Sequence, residues 1–215
     1  MSASLAAWQR ELTSGPEPKH VAVGQTASLA TEEELIAQSR AGNLRAFGEI
    51  YDRYEGAVFR HAFHVLGHAD DADDVRQETF VRAFAALTRF RGEASMKTYL
   101  LAICSNLCRD KLRNKQRRPE WGYGIVAPDT VTGEAGGDPL QAMQRAHEAS
   151  QVRRALDKLP APAREILILR HVEELEFDEI AVVLGCSRVS APVRLFRARR
   201  LFKDVYVSLI EVGEE

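Results

Sequence analysis

Cys104 and Cys108 stand one helical turn apart, and His61 and His64 offer ring nitrogens on an earlier segment. Thiolates and imidazoles at such spacing can hold zinc or sense oxidation. Helix-embedded cysteines beside an apolar stripe are more often small buried hydrophobes, and no metal and no cofactor are expected. Cys186 falls in a turn whose neighbours give no reason for an activated thiolate. The acid clusters Asp70, Asp71, Asp73, Asp74, Glu78 and Glu173, Glu174, Glu176, Asp178, Glu179 lack the D-x-D-x-D-G order of a calcium loop. No phosphate-cradling glycine loop, nucleophile elbow or zinc-protease motif is present, so an enzyme is not expected. The remaining chemistry is that of cations. About ten Lys/Arg lie between Arg82 and Arg118 against two acids, Glu93 and Asp110, and six lie between Arg188 and Lys203 against none. The overall net charge of -2 therefore conceals two basic segments, each beside an acidic one. Positive surfaces of this kind attract phosphate, although a pair of solvated helix faces is the plainer alternative.

Helices must position these groups. Thr31 has the type of an N-cap, with Glu34 at capping-box spacing. Leu44, Phe47, Tyr51, Tyr54, Val58, Ala62 and Val65 then recur every three or four residues, the stripe of a long helix that Gly67 should end. A second helix is expected from about Ala72, and a third carries Met96, Tyr99, Leu100, Ile103 and Leu107 on one side until Pro119. Between Pro119 and His147 fall five of the 14 glycines and three of the 8 prolines, the composition of a linker. Helices resume near Ala149 with the stripe Val152, Ala155, Leu156 and Leu159.

No alternating strand pattern is found. The expected fold is all-α: two small helical domains joined by a flexible linker. The boundaries are a mobile extension over 1–30, a first domain over 31–118, the linker over 119–148 and a four-helix second domain over 149–210. With 215 residues, 45% of them hydrophobic, there is enough apolar surface for two small cores. No apolar run approaches the roughly 20 residues a spanning helix needs, and no basic-then-apolar leader opens the chain. Three cysteines suit a reducing compartment, and a cytoplasmic location is expected.

Within the second domain, Phe177 to Arg200 has the layout of a helix-turn-helix: a short helix, Leu184-Gly185-Cys186-Ser187, then a basic helix. Glycine tolerates left-handed turn geometry, and Ser187 or Ser190 can cap the next helix. That helix puts Leu195, Ala198, Phe202 and Val205 on one face and Arg197, Arg200 and Lys203 on the other. Such an element reads base edges with its N-terminal side chains while arginines hold phosphates. An ordinary helical hairpin with a basic outer face is the alternative. Pro192 kinks a helix that starts at Ser187 and is harmless in one that starts at Ser190.

These residues carry a resemblance to a family. Asp73-Asp74-Val75-Arg76-Gln77-Glu78-Thr79-Phe80 resembles the E/D-D-x-x-Q-E/D-x-F signature of bacterial sigma factors of the ECF (extracytoplasmic function) group. Phe90-Arg91-Gly92 with Tyr99-Leu100 resembles the family's F-R-G…W-L segment, and Ile103-Cys104-Ser105-Asn106 with Asp110 and Arg113 its I-A-R-N…D…R. Ala155-Leu156-Asp157-Lys158-Leu159-Pro160 and Arg164 match the opening of the second conserved domain. Asp178-Glu179-Ile180-Ala181, Leu184-Gly185 and Arg197-Ala198-Arg199 match its helix-turn-helix.

The resemblance implies an alternative sigma factor that binds core RNA polymerase, recognises −35 and −10 promoter elements and promotes melting. Its first domain corresponds to region 2 and its second to region 4. It places Asp73, Asp74, Val75, Gln77, Glu78 and Phe80 against a coiled coil of the largest polymerase subunit. Phe90, Arg91, Gly92 and Glu93 would line a loop pocket for a −10 base. Tyr99 would take the aromatic role, Asn106 and Asp110 polar contacts, and Lys97, Arg109 and Arg113 the strand phosphates. Ser187, Arg188, Ser190, Arg194, Arg197 and Arg199 would contact duplex −35 DNA. Many members are held inactive by an anti-sigma factor clamped on the same two domains, so such a partner is expected, without membrane insertion.

This chain departs from the pattern in places. Tyr99 stands for the usual Trp and also lies on the apolar stripe, which leaves core packing and a DNA role open. Cys104-Ser105 replace Ala-Arg, Val189 replaces a small residue, and Ala191-Pro192 interrupt the usual start of the recognition helix. Two other kinds of protein fit parts of the pattern: a dimeric helix-turn-helix regulator that senses a ligand with its first lobe, and a pure protein-interaction module. The second leaves the basic block Arg109 to Arg118 without a use.

Overall fold

A computed structural model describes residues 31–117, 147 and 150–212, and all regular structure among them is helical. The expected extension over 1–30 lies outside the described residues, as does the expected linker apart from His147. The chain divides into two compact units.

The first unit holds α1 (Glu32–Arg40), α2 (Leu44–Leu66), α3 (Ala69–Ala86), a 3₁₀ turn (Leu87–Arg89) and α4 (Met96–Arg117). The capping box at α1 forms in full: Thr31 accepts from the Glu34 amide, and Glu34 accepts from the Thr31 amide at 3.0 Å. Asn43 caps α2 by accepting from the Arg45 and Ala46 amides. Gly67 closes α2 at φ 74°, where its amide donates to the Phe63 carbonyl at 2.8 Å. After so tight a stop α3 begins at once, with His68 extended and Asp70 and Asp71 in the first turn, where carboxylates complement the free amides. The sequence expectation of a start at Ala72 missed that acidic turn, which contributes no apolar residue to the periodic stripe.

Ile50, Val58, Ala62 and Val65 of α2 meet Val75, Phe80 and Ala83 of α3 and Met96, Leu100, Leu101, Cys104 and Cys108 of α4 in one core. Both cysteines are buried, and the Cys104 thiol donates to the Val58 carbonyl at 3.7 Å. Charge is also built into this packing. Arg76 reaches Glu55 at 2.5 Å, Asp73 at 2.6 Å and the Tyr51 hydroxyl, and lies over the Tyr51 ring. Lys111 and Lys115 of α4 grip Asp71 at the start of α3, and Lys111 also reaches Asp74 at 2.9 Å. Burial pushes the Asp71 carboxyl up, but the two ammonium groups outweigh it and the net pKa is lowered. The acidic helix is thereby tied along its N-terminal half, and its register against α4 is fixed.

The second unit holds a helix over 150–157 (α5), α6 (Ala161–His171), α7 (Phe177–Leu184) and α8 (Ser190–Val212). Pro160 starts α6, and Arg164 turns back to donate to the Asp157 and Leu159 carbonyls at the end of α5. Gly185 at φ 59° makes the turn between α7 and α8, closed by the Cys186 amide on the Ala181 carbonyl at 2.9 Å. Since α8 begins at Ser190, Pro192 sits in its first turn, where the missing amide costs nothing.

Candidate nucleic-acid interface

Three surfaces carry the functional expectations. On α8, Ala191, Leu195 and Ala198 are buried against the unit's core. The opposite face exposes Val193, Phe196, Arg197, Arg200 and Lys203, with Arg194 at its margin. Val189, in the turn, is exposed as well. Phe196 leaves 69% of its surface open. A basic helix face interleaved with apolar side chains can pair arginines with phosphates or guanine edges and meet thymine methyl groups in a major groove.

The expected −35 residues fall into two groups. Arg194 and Arg197 are exposed on α8, and Arg188 is exposed while pairing with Asp178 at 2.5 Å across the turn. Ser190, expected to cap, instead donates its hydroxyl to the Ser187 carbonyl at 2.8 Å, so the two serines shape the turn before the helix. Arg199 points back to α6 and donates to His171 Nε2 at 3.1 Å. His171 must then be neutral with its proton on Nδ1; burial, then Arg199 and Arg170, push its pKa down to about 4. Arg199 thus braces α8 against α6. The sequence reading missed Val193 and Phe196; the signal was their spacing with Arg200, three and four residues apart opposite the core stripe.

The second surface runs from the 3₁₀ turn into α4. Arg91, Gly92 and Glu93 are exposed, and Gly92 takes φ 74° with open space where a side chain would begin. Phe90, expected to line the loop pocket with them, is only 9% exposed and packs on Tyr99 with ring centroids 4.8 Å apart. Phe90 forms the floor under the loop, because the bend after Arg89 turns its ring inward, and Tyr99 is half-buried beside it. Tyr99 packs on Phe90 and is only partly buried. Along α4, Arg109 donates to Asn106 at 2.7 Å and Arg113 pairs with Asp110 at 2.5 Å. Asn106, Asp110 and Arg113 are exposed, and Lys97 and Arg109 are partly so. The structure brings these groups together on one helix.

The third surface is the outer face of α3. Asp74, Gln77 and Glu78 are exposed, and Asp73 is occupied by Arg76 and Gln77. Val75 and Phe80, expected to meet a partner, are buried in the core of the unit. Val81, 63% exposed, and Phe84 lie on the same side of the helix as Asp74, Gln77 and Glu78. The apolar side chains that α3 exposes are Val81 and Phe84, while Phe80 of the motif is buried.

Comparison with known proteins assigns both units. Residues 50–118 match the family description Sigma-70 region 2, and residues 149–202 match Sigma-70, region 4. The chain is 31% identical to the RNA polymerase sigma-H factor of Pseudomonas aeruginosa over 176 residues, covering 78% of this chain and 90% of that protein. It is 28% identical to the ECF RNA polymerase sigma-E factor of Escherichia coli K12 over 186 residues, covering 84% of this chain and 96% of that protein. Among solved structures, CnrH in complex with the cytosolic domain of CnrY superposes with TM-score 0.58 at 28% identity, covering 81% of this chain and 96% of that one. The sigma factor RpoE of Bartonella quintana, solved with the anti-sigma factor NepR, shares the fold at TM-score 0.60 and 23% identity, covering 75% and 96%. With the order of regions, the helix-turn-helix and this similarity along most of its length, the chain belongs to the ECF group of the sigma-70 family of RNA polymerase sigma factors.

Proposed function

We propose that the first unit docks on core RNA polymerase and captures the melted −10 strand while the second reads −35 duplex. The carrying observation is the free face of α8, where Val193, Phe196, Arg197, Arg200 and Lys203 alternate apolar and cationic groups opposite the core stripe. Phosphate neutralisation supplies affinity there and contact with base edges supplies specificity. On α3, Asp74, Gln77, Glu78, Val81 and Phe84 form an acidic surface with an apolar centre that suits a basic helical partner. On α4, Lys97, Asn106, Arg109, Asp110 and Arg113 lie beyond the loop that would receive an extruded base, a geometry for holding a single strand by cations and stacking.

The protein catalyses no reaction itself. Binding free energy from both units offsets the cost of opening a few base pairs, and core polymerase performs the chemistry. It acts where the nucleoid is, in the bacterial cytoplasm; no helix of the described residues is long and apolar enough to cross a membrane. CnrH was solved with the cytosolic domain of CnrY, and an anti-sigma factor that covers the same surfaces is proposed here as well. The test is run-off transcription with purified core polymerase on a genomic fragment library. Transcripts from fragments sharing two spaced elements are expected with the protein and absent without it; equal transcription in both arms refutes the assignment.

A further inference from the structure

α1 precedes the residues matched to region 2, which begin at residue 50, and none of the promoter or polymerase roles above uses it. Its two ends nevertheless hold the two ends of the exposed loop between the 3₁₀ turn and α4. At the C-terminal end of α1, Arg40 Nε donates to the Leu87 carbonyl at 3.3 Å and its Nη2 to the Phe90 carbonyl. The guanidinium carbon lies 5.9 Å from the Phe90 ring centroid. At the N-terminal end of α1, Glu32 Oε1 accepts from the Met96 amide at 3.2 Å, the first amide of α4. The other Glu32 oxygen accepts from the Tyr54 hydroxyl of α2. Burial and that carboxylate push the Tyr54 pKa up to about 12, so the phenol keeps its proton and stays a donor.

Locally the end of this loop is held by Ser95, whose hydroxyl accepts from the Thr98 amide at 3.1 Å, while its tip stays open to solvent. Arg91, Gly92 and Glu93 are exposed, Gly92 is in a left-handed conformation with nothing near it, and the Arg91–Glu93 pair at 3.8 Å is solvated. The Phe90 carbonyl and the Met96 amide sit at helix ends, where backbone groups have no partner within their own helix, while the Leu87 carbonyl already accepts from the Phe90 amide at 3.1 Å and gains a second donor in Arg40. α1 supplies those partners from outside. A loop pinned at both ends loses less conformational freedom when a ligand arrives, which raises affinity without any contact to the ligand.

We infer that Arg40 and Glu32 are positioning residues: α1 is a clasp that pre-shapes the 90–95 loop for the extruded −10 base. Neither residue touches DNA in this scheme. Arg40 acts through the Leu87 and Phe90 carbonyls and the Phe90–Tyr99 floor, and Glu32 through the first turn of α4. The inference rests on the assignment of the loop as the base-receiving element.

The experiment uses holoenzyme assembled from the full chain and core RNA polymerase. Its probes are a fork-junction DNA with a single-stranded −10 segment and the same DNA made abasic at the captured nucleotide. Arg40→Met and Glu32→Ala are each expected to bind the intact fork about tenfold more weakly than wild type. On the abasic fork they should equal wild type, with core affinity and −35 duplex binding unchanged. Arg40→Lys keeps the charge and a donor group but not the planar fork that reaches both carbonyls, and should recover part of the loss. The clasp is overturned if the variants bind the intact fork like wild type, or lose equally on both probes, the mark of a general folding defect. A melting scan of each variant separates that last case. Should wild-type holoenzyme itself bind both forks equally, the loop assignment fails, whatever the variants do.

Discussion

Phe196→Ala isolates the reading face of α8 from its structural face. About 69% of the Phe196 surface is open in the free protein. A phenylalanine offers roughly 200 Å², so about 140 Å² is available for a partner. Burying half of that against base edges and sugar at about 25 cal/mol per Å² contributes roughly 1.7 kcal/mol, or 10- to 20-fold in affinity. Folding should not notice the change, because the side chain packs little in the free protein. Leu195→Ala, one residue earlier but 2% exposed, should do the reverse and cost about 2 to 5 kcal/mol of stability. The assay is holoenzyme binding to a promoter fragment, run in parallel with thermal unfolding of the isolated chain. If Phe196→Ala melts several degrees lower and binds promoter DNA normally, the two faces of α8 have been assigned the wrong way round.

Other perturbations have defined outcomes. Glu78→Arg and Val81→Asp, both on the exposed face of α3, should weaken core-polymerase binding about tenfold or more with little change in melting temperature, read in a competition titration. Arg200→Ala should reduce the salt slope of promoter binding by about one ion; an unchanged slope places that arginine away from phosphate. Arg76→Met removes the guanidinium from buried Glu55, and a loss of about 3 to 5 kcal/mol is expected in urea unfolding, largely relieved by adding Glu55→Gln. His61 is fully buried; burial, with His64, Arg109 and Lys97 nearby, pushes its pKa from 6.5 down to about 3. The unfolded chain therefore binds this proton first. Stability is full above pH 6.5 and falls as pH drops from 6.5 toward 3, by up to about 4 kcal/mol from this group. His61→Leu should flatten that part of the pH–stability curve, and an unaltered slope would contradict the buried neutral ring.

Helices and their ends were legible because local chemistry states them. The Thr31 capping box, the Gly67 stop and the Gly185 turn all stand where residue type alone placed them. The start at Ser190 was one of two open choices, and tertiary packing made it. Less legible was which side of a motif faces out. The signature centred on Asp73 to Phe80 mixes residues that build the core with residues that face solvent, and only helical phase separates Val75 and Phe80 from Val81 and Phe84. That the Phe90 ring packs on Tyr99 is likewise a tertiary contact, which its exposed loop neighbours do not announce. Arg199 is an arginine in a basic run whose partner, His171, lies 28 residues away, and no spacing rule announces such a pair. The clasp made by Arg40 and Glu32 depends on contacts 47 to 64 residues apart and leaves no periodic trace.

The central claim is that promoter recognition belongs to the assembly and not to the chain alone. Titrating the purified protein onto a −35/−10 promoter fragment, with and without core RNA polymerase, tests it directly. Weak, strongly salt-dependent binding alone and tight, asymmetric occupancy of both elements with core is the expected result. Tight occupancy of an inverted repeat by a dimer of this chain, unchanged when core polymerase is added, would contradict the account.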